Sequence, residues 1–246
     1  MEFLQITLTG WVALSIAISM VFLAGLMFIL GRERFHYVWG VFCIAIAVWA
    51  WGFYMVSLVH DAASAQFWWK ISYIGTILNP FLYFHFTLEF IQSKLFHRFK
   101  LVALTVLYAI AFVFVYLNLT THLIVNQVTF LFGQLYYDTP PGALHLYFMT
   151  LFLALIVWSL YLIFHEYRKR KNDTFFRQRA TYFFIASAIA YVGGSMNFLP
   201  VYGIEVNPVT NFAVAFGAIF IAYAILRRGL FEVKVIVAQV LTLILG

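Results

Sequence analysis

"EYRKRKNDTFFRQR", Glu166 to Arg179, is an island of charge between two long apolar runs, and it holds six of the fifteen Lys and Arg residues of a 246-residue chain. The chain as a whole is 65% hydrophobic and only 10% charged, where a soluble domain carries roughly 25% charged residues. A chain this poor in charge cannot clothe a core in polar surface, so lipid must solvate it.

Moving outward from the island, seven apolar runs approach or exceed the length of about 20 residues that crosses a bilayer: residues 5–31, 37–59, 67–91, 101–118, 143–165, 180–200 and 208–226. Hydrophobicity surrounds each run instead of alternating along it, which predicts an all-α bundle of seven transmembrane helices and not a barrel. The first run is not expected to be a cleaved signal peptide, because it has Glu2, lacks a basic leader and is too long.

With seven spans, "GRERFH" (31–36), "SKLFHRFK" (93–100), the opening island and the tail with Arg227, Arg228 and Lys234 fall on one side, collecting fourteen of the fifteen basic residues. Only Lys70 falls on the other, with Glu2, Asp61, Asp138 and Glu205. The positive-inside rule then sets the N-terminus outside and the C-terminus in the cytoplasm of a multi-pass inner (plasma) membrane protein. A miscount of one span would scramble this segregation. The net charge of +6 is therefore a topology signal, and the expected partner is membrane lipid, not nucleic acid. The longest outer loop, 119–142, mixes β-branched and aromatic residues around Gly133 before "DTPPG" (138–142), predicting a short β-hairpin or apolar cap over the outer mouth.

Motifs for chemistry are missing from the sequence. The last span, "NPVTNFAVAFGAIFIAYAIL" (207–226), has no lysine for a retinal Schiff base. There is no HExxH, no Gly-rich phosphate loop and no Ser–His–Asp arrangement. The seven His lack metal-ligand spacing, and Cys43 is the single cysteine. No catalytic residue, metal or cofactor is expected.

Two groups of polar residues are candidate sites. The first is in "YFHFTLEFI" (83–91), where His85 and Glu89 stand four residues apart. With the span centred near Asn79 and Pro80, Glu89 is about 15 Å further in, near the cytoplasmic headgroups. It is either an interfacial carboxylate paired with a nearby Lys or Arg, or a latch toward Arg177 and Arg179 at the start of span six that shifts during signalling. The second group is at the outer ends: Trp68, Trp69 and Lys70 on span three, with Ser195, Asn197, Asn207, Thr210 and Asn211 around spans six and seven. These could line an outward pocket in which Lys70 would suit an anionic ligand or headgroup. The opposing reading assigns Trp to the interfacial belt, Lys70 to snorkelling or to Asp61, and the Asn residues to helix caps. Ala186, Ala190 and Gly194, then Ala213 and Gly217, recur every fourth position as close-packing faces. Pro80 is expected to kink span three.

"FWWKISYIGTILNPFLYFHFTLEFI" (67–91) resembles the third span of the seven-helix N-terminal region of bacterial histidine kinases. The stretch 177–235 resembles that family more strongly, through its R-Q-R entry, the "NFLP" exit (197–200), the Pro opening span seven and the closing "AYAILRRGLFEV" (222–233). The resemblance covers essentially residues 1–234. Glu89 is not typical of the pattern, and no family role is carried onto it.

The resemblance implies a sensory input module, residues 1–228, that detects an extracytoplasmic or membrane-borne signal, such as a small or lipophilic ligand. It would pass a helix movement through spans six and seven and "LRRGLFEV" to a cytoplasmic kinase or other output domain, as a homodimer. Ligand contacts are expected from Trp68, Trp69, Lys70, Asn197, Asn207 and Asn211, and signal coupling from His85, Glu89, Arg179, Arg227 and Arg228. Residues 229–246 are expected to be a linker or the start of an eighth hydrophobic segment cut at Gly246. The phosphoacceptor-His and ATP-binding motifs of a kinase core are not in this sequence, so no enzyme activity is expected of it. The rival readings are a transporter or channel subunit, which would need a continuous polar path across the midplane, and an integral membrane enzyme.

Overall fold

A computed structural model describes residues 7–91, 100–204, 206, 211–214 and 216–217. Six α-helices form among them: α1 (Leu8–Leu30), α2 (Arg34–Val56), α3 (Ala62–Ile91), α4 (Lys100–Thr120), α5 (His145–Lys169) and α6 (Thr174–Ser195). Two 3₁₀ turns, Met196–Phe198 and Pro200–Tyr202, follow α6. Between α4 and α5 the chain forms an antiparallel hairpin of β1 (Thr129–Leu131) and β2 (Leu135–Tyr137), the element expected in loop 119–142.

Five of these segments are long and apolar enough to cross a membrane: α1, α2, α4, α5 and Thr174–Tyr202. In hydrocarbon only a helix satisfies its own backbone groups within one segment, which is why apolar runs without sequence punctuation become unbroken helices. The longest helix, α3, carries Lys70, Asn79, His85 and Glu89 among its 30 residues, which lowers its apolarity. It is the central helix and packs against α2, α4 and α5. The helix runs through Pro80 without interruption. The expected seventh span, 208–226, lies largely outside the described residues, as do Asn207, Arg227, Arg228 and the tail 229–246.

The basic island folds differently from a loop. α5 continues to Lys169, only residues 170–173 connect, and Asp173 Oδ1 accepts the Phe176 N–H at 2.9 Å to cap α6. α6 therefore begins at Thr174, six residues before the expected start of the span at residue 180, and Arg177 and Arg179 stand on its first turns. An Asp cap satisfies an orphan backbone donor and favours the positive end of the helix dipole, so the helix begins where the cap is, not where hydrophobicity begins.

α2 and α3 approach most closely through glycine. A Cβ on Gly75 would fall 2.1 Å from the Ala45 carbonyl oxygen, and one on Gly52 2.7 Å from Ser72 Cα. The Ser72 hydroxyl donates to the Trp49 carbonyl at 2.8 Å across the same seam. The expected small-residue faces also meet: a Cβ on Gly217 would be 3.0 Å from that of Ala190, and one on Gly194 3.1 Å from Val214 Cγ2. At the other extreme, α4 buries only Leu104, Ala111 and Asn118, a single stripe seven residues apart. Phe112, Val113 and Tyr116 stay exposed, as lipid-facing side chains would.

Candidate ligand-binding site

Contacts define two ends of the bundle. The hairpin covers the end where α3 and α5 begin and α2, α4 and α6 finish. Its turn places Phe132 and Gly133 at φ 58° and 63°, the two positive values of a primed hairpin turn. Alternation along β2 buries Leu135 and Tyr137 against the helices and turns Tyr136 away from them. Trp69 Nε1 donates to the Tyr136 carbonyl at 2.9 Å, and Gln66 Nε2 donates to the Asn126 carbonyl at 2.5 Å. Lys70 Nζ donates to the Thr121 carbonyl at 2.8 Å, while Asn118 Nδ2 donates to the Lys70 carbonyl at 2.8 Å. Asp61, the partner considered for Lys70, instead accepts the Ser64 N–H at 2.8 Å. Trp69 and Lys70 thus hold the cap onto α3 and α4, and Trp68 is half-buried beside them.

Beneath the cap are two buried polar chains. Tyr73 Oη donates to Asp138 Oδ2 at 2.5 Å and lies 2.8 Å from His145 Nε2, while His145 Nδ1 is 2.8 Å from Tyr202 Oη. Tyr73 has one proton, and Asp138 receives it. His145 must therefore donate through Nε2 and accept the Tyr202 proton at Nδ1. The order Tyr202, His145, Tyr73, Asp138 links the second 3₁₀ turn, α5, α3 and the strand exit. Asp138 Oδ1 has no hydrogen-bond partner among the described residues. Burial pushes the Asp138 carboxyl up to about 7 from 3.8, with the Tyr73 hydrogen bond opposing the rise. Burial likewise raises the Tyr137 phenol, and the charge of Asp138 adds to that rise. The second chain is shorter. Tyr137 Oη donates to Asn197 Oδ1 at 2.6 Å, and Asn211 Nδ2 donates to the same oxygen at 3.2 Å.

Asn197 also lines a cavity of about 90 Å³ that descends from the cap between α2, α3, α6, Val214 and Gly217. Of the expected ligand-contact residues, Asn197 and Asn211 come together by hydrogen bond. Trp69 and Lys70 belong to the cap contacts and do not line this cavity. The residues that sequence reasoning passed over are Tyr73, Tyr137, Asp138, His145 and Tyr202. In the sequence Asp138 counts only among the outer acidic residues, and His145 only among seven histidines without metal-ligand spacing. The available signal was an acid and a histidine bracketing a short loop, next to tyrosines.

The opposite end gathers the described basic residues Arg32, Arg34, Lys100 and those of the charged island. Glu89 Oε1 is 2.6 Å from Lys100 Nζ and 3.4 Å from His85 Nε2, and His85 Nδ1 is 2.8 Å from Tyr108 Oη. Glu89 therefore joins α3 to α4, and not to Arg177 or Arg179 of α6 as the latch reading supposed, because Lys100 opens the helix that packs beside it. The Arg179 guanidinium stands 5.1–5.6 Å from the ring centres of Phe35, Phe90 and Phe175, a cation–π arrangement joining α2, α3 and α6. Glu166, also overlooked within the charged island, is buried and lies 3.1 Å from Arg170 Nε. Arg170 in turn donates to the Ile91 carbonyl and ties the end of α5 to the end of α3. Among the described residues no group of three His, Cys, Asp or Glu side chains could hold a metal ion.

Comparison with known proteins places this geometry in a family context. Residues 12–234 match the family described as the N-terminal 7TM region of histidine kinase. No curated protein and no solved structure matches the chain.

Proposed function

Because the chain belongs to the family of N-terminal seven-transmembrane regions of histidine kinases, we infer that it is the membrane-embedded sensory input region of such a kinase. It detects an extracytoplasmic or membrane-borne signal at the capped end and passes it to a cytoplasmic output domain from the basic end. The observation that carries this reading is the buried joint at the capped end. There the Asp138–Tyr73–His145–Tyr202 chain and the Tyr137–Asn197–Asn211 chain join the hairpin to α3, α5 and the segments after α6. A ligand that rearranged this joint would act directly on the segments leading toward residue 234.

The same reading takes the seven-span topology with the N-terminus outside, in the inner membrane, and a homodimer as the signalling unit. Gathering of the described basic residues, Arg32, Arg34, Lys100 and those of 168–179, at one end supports the orientation through the positive-inside rule. Arg179, packed on aromatic rings of three helices, would couple α6 to α2 and α3. Glu89, His85 and Lys100 would set the position of α4 against α3.

The experiment is a fusion of residues 1–246 to a histidine kinase core, with autophosphorylation read in membranes. Replacing Asn197 and Asn211 together by Ala is expected to abolish the response to the native stimulus while membrane insertion persists. A full response in that variant would remove the capped end from signal detection.

A further inference from the structure

The cavity below Asn197 has a chemistry that specifies what it can hold. Its wall is apolar for the most part, with Met20, Phe42, Ile46 and Phe152 among the lining side chains. No Lys, Arg, His, Asp or Glu is among the described residues that line it. A charged ligand would lose its hydration there without gaining a counter-charge, so the anion expected of Lys70 does not fit.

Two lining residues carry buried hydrogen-bond donors left without a partner among the described residues. Trp39 is 2% exposed and Tyr83 is fully buried. Among the described residues Trp39 Nε1 has no hydrogen-bond acceptor, and the Tyr83 hydroxyl has no partner of full hydrogen-bond geometry, with the Ser187 side chain beside it. An indole N–H can only donate, and a buried donor left unmade costs free energy. Both rings are fixed by packing. Trp39 stacks on Phe42 at 4.6 Å and meets Phe86 at 4.8 Å, while Tyr83 lies between Phe183 at 5.7 Å and Tyr191 at 5.0 Å. The Tyr191 hydroxyl is already given to Asn79 Oδ1 at 2.8 Å, so it does not compete for the same partner.

We propose that this cavity is a binding site for a neutral, mainly hydrocarbon molecule bearing a hydrogen-bond acceptor, a carbonyl oxygen above all, that engages Trp39 Nε1–H and the Tyr83 hydroxyl. Its volume, below the about 150 Å³ of an apolar cavity that takes benzene, seats the carbonyl and the first few carbons of a chain. Apolar lining with few fixed polar groups is the usual character of a small-molecule site. Ala186, Ala190 and Gly194 of α6 form part of the wall beside Val214 and Gly217, so an occupant would press on the seam between α6 and those residues. The proposal rests on the sensory reading for the consequence of binding, but not for binding itself.

The test uses the full chain in lipid nanodiscs, with 2-heptanone as probe and n-heptane as its acceptor-free control. Saturable stabilisation against heating should appear with the ketone beyond that seen with the alkane, and the ketone carbonyl stretch should move to lower wavenumber. Trp39→Phe keeps a ring but loses the donor, and should weaken ketone binding about tenfold, the loss of about one hydrogen bond, while heptane is unaffected. Should Trp39→Phe fail to fold, Tyr83→Phe and the cavity-filling Ala186→Leu take its place, with weakened and abolished binding expected respectively. Equal effects of ketone and alkane, or unaltered ketone binding in the folded variants, would overturn the proposal. In the kinase fusion, ketone binding without any change in output would leave the site standing and instead count against the sensory reading.

Discussion

Acidifying the medium from pH 7.5 to 5.5 should stabilise this fold through Asp138, the reverse of the usual carboxylate effect. The Asp138 carboxyl titrates near 7 in the folded protein and near 3.8 when free, because burial among Tyr73, Tyr137 and their neighbours penalises its charge. A group whose folded pKa is raised binds its proton more tightly in the native state. Acidification through that pKa therefore favours folding, and the contribution fades as pH rises through 7. With about 1.36 kcal/mol per unit of pH for one proton, integration from pH 7.5 to 5.5 gives about 2 kcal/mol. For a domain of this size that is about 4–8 °C in Tm. The assay is thermal unfolding in nanodiscs of wild type and Asp138→Asn. The variant keeps an acceptor for Tyr73 but does not titrate, so subtracting it removes the contribution of the other acids and histidines. The wild type should gain about 2 kcal/mol on the variant between the two pH values. Parallel pH profiles, or a wild type that loses ground to the variant on acidification, would refute the reasoning.

Three other perturbations have definite outcomes. Gly75→Ala sets a methyl group into the Ala45 carbonyl and should cost about 1–3 kcal/mol by forcing α2 from α3, read as a lowered Tm. Tyr137→Phe removes a 2.6 Å hydrogen bond to Asn197 and should cost about 1 kcal/mol, with limited proteolysis of the hairpin rising in step. Glu89→Gln weakens the contact with the partly exposed Lys100, so stability should move by less than about 1 kcal/mol. Basal output of the kinase fusion should nevertheless shift, and an unchanged baseline would leave Glu89 only an anchoring role.

The helical class and the hairpin were legible because their signals are local. An apolar run with no alternative in lipid becomes a helix, and Gly133 flanked by β-branched and aromatic residues becomes a primed turn. The helix ends were less legible. Asp173 caps α6 seven residues before its apolar run begins, and the interval from Glu166 to Arg179 reads as a loop only if charge is equated with irregular structure. The site was least legible of all. Tyr73 and Asp138 are 65 residues apart, and Tyr137 and Asn197 are 60 apart, so their meeting depends on where the hairpin lands, which no spacing encodes. Asn197 and Asn211 were recognisable as polar groups at helix ends. Trp39 and Tyr83 were hidden as ordinary aromatics in apolar runs, because an unused donor becomes visible only when its surroundings are known.

Everything proposed for signalling depends on which end of the bundle faces out. Single cysteines at Gln134 in the hairpin turn and at Asn172 in the α5–α6 connection, both exposed, can be tested with a membrane-impermeant maleimide, while the native Cys43 is fully buried and should stay silent. In intact cells with a permeabilised outer envelope, Gln134→Cys should label at once and Asn172→Cys only after the inner membrane is broken. Labelling of Asn172→Cys in the sealed cell, with Gln134→Cys protected, would invert the topology and contradict the account.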